Sequence, residues 1–402
     1  MHGEHGEFST IKKTAQENIL PVLCSEKLKS PVLPVSPVVK TDVMKKELID
    51  KWIRPEIRAI NAYPVPDPGR LIKLDAMENP YTLPPELLEE WLDALRDVPL
   101  NRYPDAKARH LTDRLRATMD VPAGMDLLLG NGSDEIIQML ALALGGPGRT
   151  VLAPEPGFVM YRMIATFTGM DYVGVPLQEE DFGLNRDAML KGIDQHQPAI
   201  VYLAYPNNPT GNLFDPEDMV AIIEAAPGLV VVDEAYHAFA EQSFMGRLGE
   251  WDNLLVMRTV SKLGLAGLRL GFLAGPREWI GELDKVRLPY NINVLTQVSG
   301  EFALSHMGVL DEQTARIREE RGRLASALGG IEGVTPCPSA ANFILFRVAD
   351  DADAVFAGLQ ARGVLIKNLN PAGGALSGCL RVTVGTPEEN EAFLAALRES
   401  LG

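Results

Sequence analysis

The sequence predicts an α/β protein: a large, doubly wound, mostly parallel sheet domain, plus a smaller α+β domain built from both chain ends. Three observations lead there. Between Leu127 and Ala274, short apolar runs alternate with segments of helical period, the pattern of βαβ units. Several runs, such as Ala199–Ala204 and Leu229–Val232, are continuously apolar, as parallel strands covered on both faces must be. Polar, chemistry-bearing residues gather just beyond the carboxyl ends of these runs, where open α/β sheets bind their ligands.

The bulk properties narrow the function classes. With 46% apolar residues in 402, the chain can bury a large core. A net charge of −16 makes a nucleic-acid backbone a poor partner, although a local basic pocket can still take a small anion. Cys24, Cys337 and Cys379 are too far apart for a disulfide framework or a metal-binding spacing, so no metal and a reducing, cytoplasmic compartment are expected. No apolar run approaches the roughly 20 residues of a membrane span.

In chain order, residues 1–44 read as a disordered or added extension, polar at first and then proline-rich over Pro31–Pro37. Residues 45–98 are expected to form the N-terminal part of the small domain and its link, with a strand at Leu71–Leu74 and a helix over Pro84–Leu95. Residues 99–290 form the large domain. It opens with a helix over Lys107–Met119 and a strand, Leu127–Leu129, that runs through Gly130-Asn-Gly-Ser-Asp134 into a helix over Glu135–Leu144. Such a turn points the backbone N–H groups of Ser133 and Asp134 at whatever lies over the helix start, a place suited to phosphate. Glu135 replaces the third glycine of a dinucleotide fingerprint, which excludes that reading. Further strands are expected at Arg149–Ala153, Tyr172–Leu177, Ala199–Ala204, Leu229–Val232, Asn253–Met257 and Arg269–Ala274. Residues 291–402 complete the small domain, with helices over Leu295–Leu304 and Asp311–Leu328 and strands near Phe343–Arg347 and Leu380–Val384.

Three successive strand ends carry the candidate chemistry. Ala199–Ala204 ends in Tyr205-Pro-Asn-Asn-Pro-Thr-Gly211, Leu229–Val232 in Asp233-Glu-Ala-Tyr236, and Asn253–Met257 in Arg258-Thr-Val-Ser-Lys262. Taken singly, each reads as a turn, a cap or a solvated loop. Thr259, Ser261 and Arg269 supply the donors a phosphate needs. Lys262, among apolar neighbours, has its charged form disfavoured and its amine freed toward a carbonyl. A phosphate with an aldehyde nearby describes pyridoxal 5'-phosphate.

PNNPTG, VVDEAY and RTVSK followed by GLR resemble the fold-type I pyridoxal-phosphate aminotransferases. LDAMENPY, NRYPD, GSDEII, PNNPTGN, TVSKLGLAGLRLG, ANFIL and SGCLRVTVGTPEEN are similar to the histidinol-phosphate aminotransferase family, from about Tyr63 to the C-terminus. The resemblance implies a transamination between L-histidinol phosphate and 2-oxoglutarate, in a homodimer with shared active sites. Lys262 would carry the cofactor covalently and act as base, Asp233 would pair with the protonated ring nitrogen, and Tyr236 and Asn208 would donate to its phenolate oxygen. Phe158, where relatives often carry tyrosine, would stack on the ring. Ser133, Asp134, Thr259, Ser261 and Arg269 would hold the phosphate, together with Tyr103 from the second subunit. Arg381 would grip the α-carboxylate of glutamate or the substrate phosphate, and Tyr63 would contact that phosphate. Asn208 would face the substrate too, and Lys367 stands where relatives often have a second arginine. Asn342 would support this region.

Two other functions fit the same motifs: an aromatic- or aspartate-type aminotransferase, and a decarboxylase acting on a phosphorylated amino acid. A cofactor-sensing regulator would require an appended DNA-binding helix-turn-helix, which the polar, proline-rich N-terminal stretch does not offer.

Overall fold

The computed structural model describes residues 40–401, so the expectation for residues 1–39 lies outside the described residues. The chain divides into a unit ending at Pro55 and a body from Glu56 onward. In the first unit a helix runs over Lys40–Trp52, so helical backbone begins where an extension through residue 44 was expected.

In the body, a short strand β1 (Ile72–Lys73) precedes the seven strands of the large sheet. These are β2 (Met125–Asn131), β3 (Thr150–Glu155), β4 (Asp171–Pro176), β5 (Ile200–Ala204), β6 (Leu229–Asp233), β7 (Leu254–Thr259) and β8 (Leu270–Pro276). Their spatial order is β2-β8-β7-β6-β5-β3-β4. Ladders among β7, β6, β5, β3 and β4 are parallel, whereas β8 runs antiparallel to both its neighbours. The connector 260–269 accounts for that reversal. It is too short for the dozen or more residues of a parallel crossover, and it folds into two 3₁₀ turns instead.

Side-chain alternation divides the sheet between two cores. Val230 and Val232 of β6 face one with Val201, Leu203, Leu254 and Val256, while Leu229 and Val231 face the other with Ile200, Tyr202, Leu255 and Met257. Burial on both faces explains why these strands are apolar at every position.

The smaller α+β domain has its own core, around Leu74, Phe343, Phe346, Leu380 and Phe393. Its antiparallel sheet contains β9 (Val334–Pro336), β10 (Phe343–Val348), β12 (Lys367–Asn368) and β13 (Cys379–Thr383), in the order β12-β13-β10-β9. β1 pairs in parallel with β11 (Val364–Leu365). Leu74 N donates to Leu365 O at 2.8 Å and Thr383 N donates to Leu74 O at 2.8 Å, which joins the two chain ends in this domain. Helix Val294–Ser305 falls where expected, and helix Met307–Gly329 begins four residues ahead of the expected Asp311. The two-residue strands β11 and β12 have no sequence period of their own.

Candidate active site

The ends of β5, β6 and β7 open into a cavity lined by Ser133, Asp134, Phe158, Asn208, Asp233, Tyr236, Thr259, Ser261, Lys262 and Arg269. The polar residues expected at three separate strand ends therefore meet in one place.

Lys262 sits in the 3₁₀ turn that follows β7. Its Nζ donates to the carbonyl of Ala76 at 3.0 Å. Burial, aided by repulsion from Arg381, pushes its pKa down to about 8, because a desolvated amine favours its neutral form. Asp233 is the last residue of β6 and is buried. Tyr161 Oη donates to its Oδ2 at 2.7 Å and the Ala235 N–H to its Oδ1 at 3.1 Å. Burial raises its pKa to about 6, against the pull of those two donors.

A hydrogen-bonded chain links two residues of the cavity lining, Tyr236 and Asn208, to Arg381. Arg381 Nη1 donates to Asn208 Oδ1 at 2.5 Å, and Asn208 Nδ2 donates to the hydroxyl of Tyr236 at 3.0 Å. Arg381 itself is buried within β13, where desolvation lowers its pKa. Its second amino group donates to the Asp75 carbonyl at 3.3 Å.

The anion cradle lies at the start of the helix that follows β2. That helix begins at Ser133, two residues ahead of the expected Glu135, and no side chain caps it. Glu135 turns back to accept from the Asn131 N–H at 2.7 Å. The first N–H groups are thus left open toward the cavity. Arg269, in the left-handed region at φ +50°, reaches across to Asp134 Oδ2 at 3.4 Å. Close approach requires two glycines here. A Cβ on Gly132 would lie 2.6 Å from Arg269 Nη2, and one on Gly271 would lie 2.8 Å from Ser133 N. Thr259 Oγ1 donates to the Leu270 carbonyl at 2.9 Å and also meets Ser261 Oγ at 2.9 Å.

A second, larger cavity adjoins the first and shares Met77, Phe158 and Asn208 with it. Tyr63, Lys367 and Arg381 line it. β12 and β13 place Lys367 directly opposite Arg381, and Lys367 Nζ lies 5.9 Å from the centre of the Tyr63 ring. Tyr103 does not line either cavity. It is 80% exposed and stacks on Tyr290, with ring centroids 4.5 Å apart. Asn342 is buried and donates to the Met77 carbonyl at 2.9 Å.

Two residues here escaped the sequence reading. Met77 lies at the junction of the cavities with φ +54°, held by Thr383 and Asn342. Tyr161 lies beneath Asp233. Its signal was a tyrosine on the apolar face of a helix, since a buried phenol needs a partner for its hydroxyl.

A profile of the family "Aminotransferase class I and II" matches residues 70–397. The chain belongs to this family. Among its relatives, histidinol-phosphate aminotransferase 2 of Nitrosococcus oceani is 60% identical over 356 residues, covering 88% of this chain and 99% of the relative. Histidinol-phosphate aminotransferase 2 of Cupriavidus pinatubonensis is 58% identical over 364 residues, covering 89% and 99%. The crystal structure of histidinol-phosphate aminotransferase from Sinorhizobium meliloti in complex with pyridoxal-5'-phosphate superposes with a TM-score of 0.77 at 25% identity, over 87% of this chain and 97% of that one.

The first cavity of this aminotransferase fits such a cofactor. An uncapped helix start with Arg269 and Ser261 suits the phosphate, a buried carboxylate suits a pyridinium nitrogen, and a desolvated amine suits the carbonyl carbon. Among the described residues no group of three or more His, Cys, Asp or Glu could hold a metal ion. No helix among them is long and apolar enough to cross a membrane.

Proposed function

We propose that this chain uses pyridoxal 5'-phosphate to transaminate L-histidinol phosphate with 2-oxoglutarate, giving imidazole acetol phosphate and L-glutamate in histidine biosynthesis. The observation that carries the reading is the junction of the two cavities. A lysine–carboxylate–anion constellation opens at Met77, Phe158 and Asn208 into a groove bearing Tyr63, Lys367 and Arg381. That groove offers positive charge and a phenol to an anionic substrate.

When bound, the cofactor supplies a carbonyl that captures the substrate amine and a ring that accepts the electron pair left by the departing α-proton. Ser133, Asp134, Thr259, Ser261 and Arg269 hold its phosphate, Phe158 covers the ring, and Asp233 keeps the ring nitrogen protonated. Tyr236 and Asn208 fix the phenolate oxygen, so the chain through Asn208 couples that oxygen to Arg381. Lys262 would attach the cofactor; once displaced by substrate, its amine would take the α-proton and return it across the shared nitrogen to the cofactor's carbonyl-derived carbon, a 1,3-proton transfer. A pKa of about 8 leaves it a usable base near neutrality. Arg381, Lys367 and Tyr63 orient the substrate phosphate or the carboxylates of glutamate.

We place the large cofactor domain at residues 99–290 and the C-terminal small domain at 291–402, with the N-terminal part of the small domain preceding residue 99. The small domain closes over the groove during turnover. Tyr103, exposed and outside its own cavity, completes the phosphate site of a second copy, which makes the enzyme a homodimer with shared active sites. The assigned pathway and the cysteine usage support a cytoplasmic location.

The test is a half-reaction. L-Histidinol phosphate is added to cofactor-loaded protein without keto acid, and visible absorbance is followed by stopped flow. Stoichiometric conversion of the aldehyde form to the amine form, reversed by 2-oxoglutarate, is expected. Conversion by phenylalanine or aspartate in place of histidinol phosphate would overturn the substrate assignment, and release of carbon dioxide from a phosphorylated amino acid would overturn the reaction type.

A further inference from the structure

The carboxylate of Asp233 is more elaborately held than a simple counter-ion requires. Its two oxygens each accept one donor, Tyr161 Oη at 2.7 Å and the Ala235 N–H at 3.1 Å. Tyr161 is itself fixed on both sides. Its ring stacks on Tyr202, with centroids 4.3 Å apart and planes 3° off parallel, and meets Phe158 edge-on at 5.5 Å. Tyr161 and Tyr202 are both buried, but the Tyr202 hydroxyl has no hydrogen-bond partner. Two stacked phenols thus differ in one respect: only one of them reaches the carboxylate.

We propose that Tyr161 is a positioning residue that sets the orientation and ionisation of Asp233, and through it the protonation of the cofactor ring nitrogen. This rests on the cofactor assignment made above. The hydroxyl donates to Oδ2, which stabilises the charged carboxylate, and fixes the plane of the carboxyl group toward the cavity. The other ionisable groups around Asp233 are Tyr202 on β5, Asp134 at the helix start, and Glu234 and Tyr236 just beyond β6. Glu234 is neutralised by Arg258 at 2.8 Å and Asp134 is paired with Arg269. Tyr161 is therefore the one side chain among these that favours the ionised form of Asp233 by direct donation. It also links Asp233 to Phe158, so the ring's edge partner and its face partner are set by a single side chain.

The experiment compares wild type, Tyr161→Phe, Tyr202→Phe and Tyr161→His, each loaded with pyridoxal 5'-phosphate. Cofactor dissociation and visible absorbance are measured from pH 5 to pH 9, with circular dichroism as the check of folding. Loss of one charge-assisted donor in Tyr161→Phe should weaken cofactor retention about tenfold. The acid limb of the binding profile should also move to higher pH, because Asp233 then protonates more readily. Tyr202→Phe should leave both unchanged, and Tyr161→His should restore part of the retention through its ring N–H. Identical profiles for the two phenylalanine variants would overturn the proposal while leaving the cofactor assignment intact. Failure of wild type to take up the cofactor would overturn that assignment instead. If Tyr161→Phe does not fold, Tyr161→Met, which also lacks a donor, decides: a displaced pH profile supports positioning of Asp233, and an unmoved one overturns it.

Discussion

The cavity assigned to the cofactor and the groove assigned to the substrate touch, yet the chain builds them in different ways. The cavity is assembled from the ends of β5, β6 and β7, neighbours in the sheet and successive strands in the chain, so Asn208, Asp233 and Lys262 come together as soon as the parallel ladders form. The groove needs Tyr63 from before β1, Lys367 from β12 and Arg381 from β13. These three come from segments distant in the chain, tied by β1–β11 pairing and by the Leu74 bonds to Leu365 and Thr383. A site built on one rigid sheet edge suits a group that stays bound. One completed by side chains from a separately packed domain suits ligands that must enter and leave.

The sharpest way to break the comparison is to damage the cavity alone. Lys262→Ala should reduce kcat by about 10⁴-fold or more, since it removes the proton-transferring amine. Single-turnover kinetics with histidinol phosphate will measure this, and substrate affinity in the groove should survive. Substantial steady-state turnover would refute the role of Lys262. Asp233→Asn should cost about 10²–10³-fold in kcat by removing a preorganised charge, but its effect on the apoprotein should have the opposite sign. Burial raises the pKa of Asp233 to about 6. The folded state therefore binds that proton more tightly than the unfolded one, and this contribution is present below the ordinary carboxylate range and lost as pH rises through about 6. Apo Asp233→Asn should accordingly be more stable than apo wild type at pH 8, by on the order of 3 kcal/mol, and nearly equal to it at pH 4. Urea denaturation at the two pH values will show whether this holds.

The same contrast decides what could be read from the sequence. Asn208, Asp233 and Lys262 each follow an apolar run that is a strand in the structure, and their motifs are contiguous, so local pattern was sufficient. Ser133 was legible as a helix start, although the helix begins at Ser133 itself because Gly132 takes the turn at φ +78° and Glu135 folds back. The antiparallel direction of β8 was not read, because an apolar strand has no direction; the short connector 260–269 decides it. Tyr161 was missed because its partner lies 72 residues away, and hydrophobic period alone cannot tell a buried phenol with a partner from one without, such as Tyr202. The groove was legible through family resemblance only. Lys367 and Arg381 face each other through a two-residue strand, and no local signal marks so short an element.

Arg381→Lys tests the groove from its buried side. Lysine keeps the charge but cannot hold the Asn208 carbonyl, the Asp75 carbonyl and an incoming anion at once. Loss of a charged hydrogen bond in a buried site costs about 1.5–3 kcal/mol, which corresponds to a rise in KM of about 10–150-fold for glutamate and histidinol phosphate alike. Cofactor affinity should change far less. A cofactor that falls off Arg381→Lys would show that the chain through Asn208 makes cavity and groove one site.

The smallest effect, and the finest test of the groove, is a gain. Lys367 is half-buried beside Arg381, and burial followed by the charge of Arg381 lowers its pKa. Its ammonium meets an anion as a point charge, whereas a guanidinium would present two parallel donors to a phosphate. Lys367→Arg should lower KM for histidinol phosphate by a factor of about 1.5–5, the scale of a partly solvated ion pair worth about 0.2–1 kcal/mol. Histidinol lacking the phosphate should show no such gain. Equal changes for the two substrates would mean that Lys367 acts on the general field of the groove and not on the phosphate. Because arginine is longer and planar, the variant also probes how tightly Tyr63 closes the pocket: its ring is 5.9 Å from the Lys367 ammonium, room enough for a guanidinium to stack on it. Stacking there would hold the fork in place and turn the substitution from a change of charge shape into a change of geometry, which the KM difference between the two substrates reads directly.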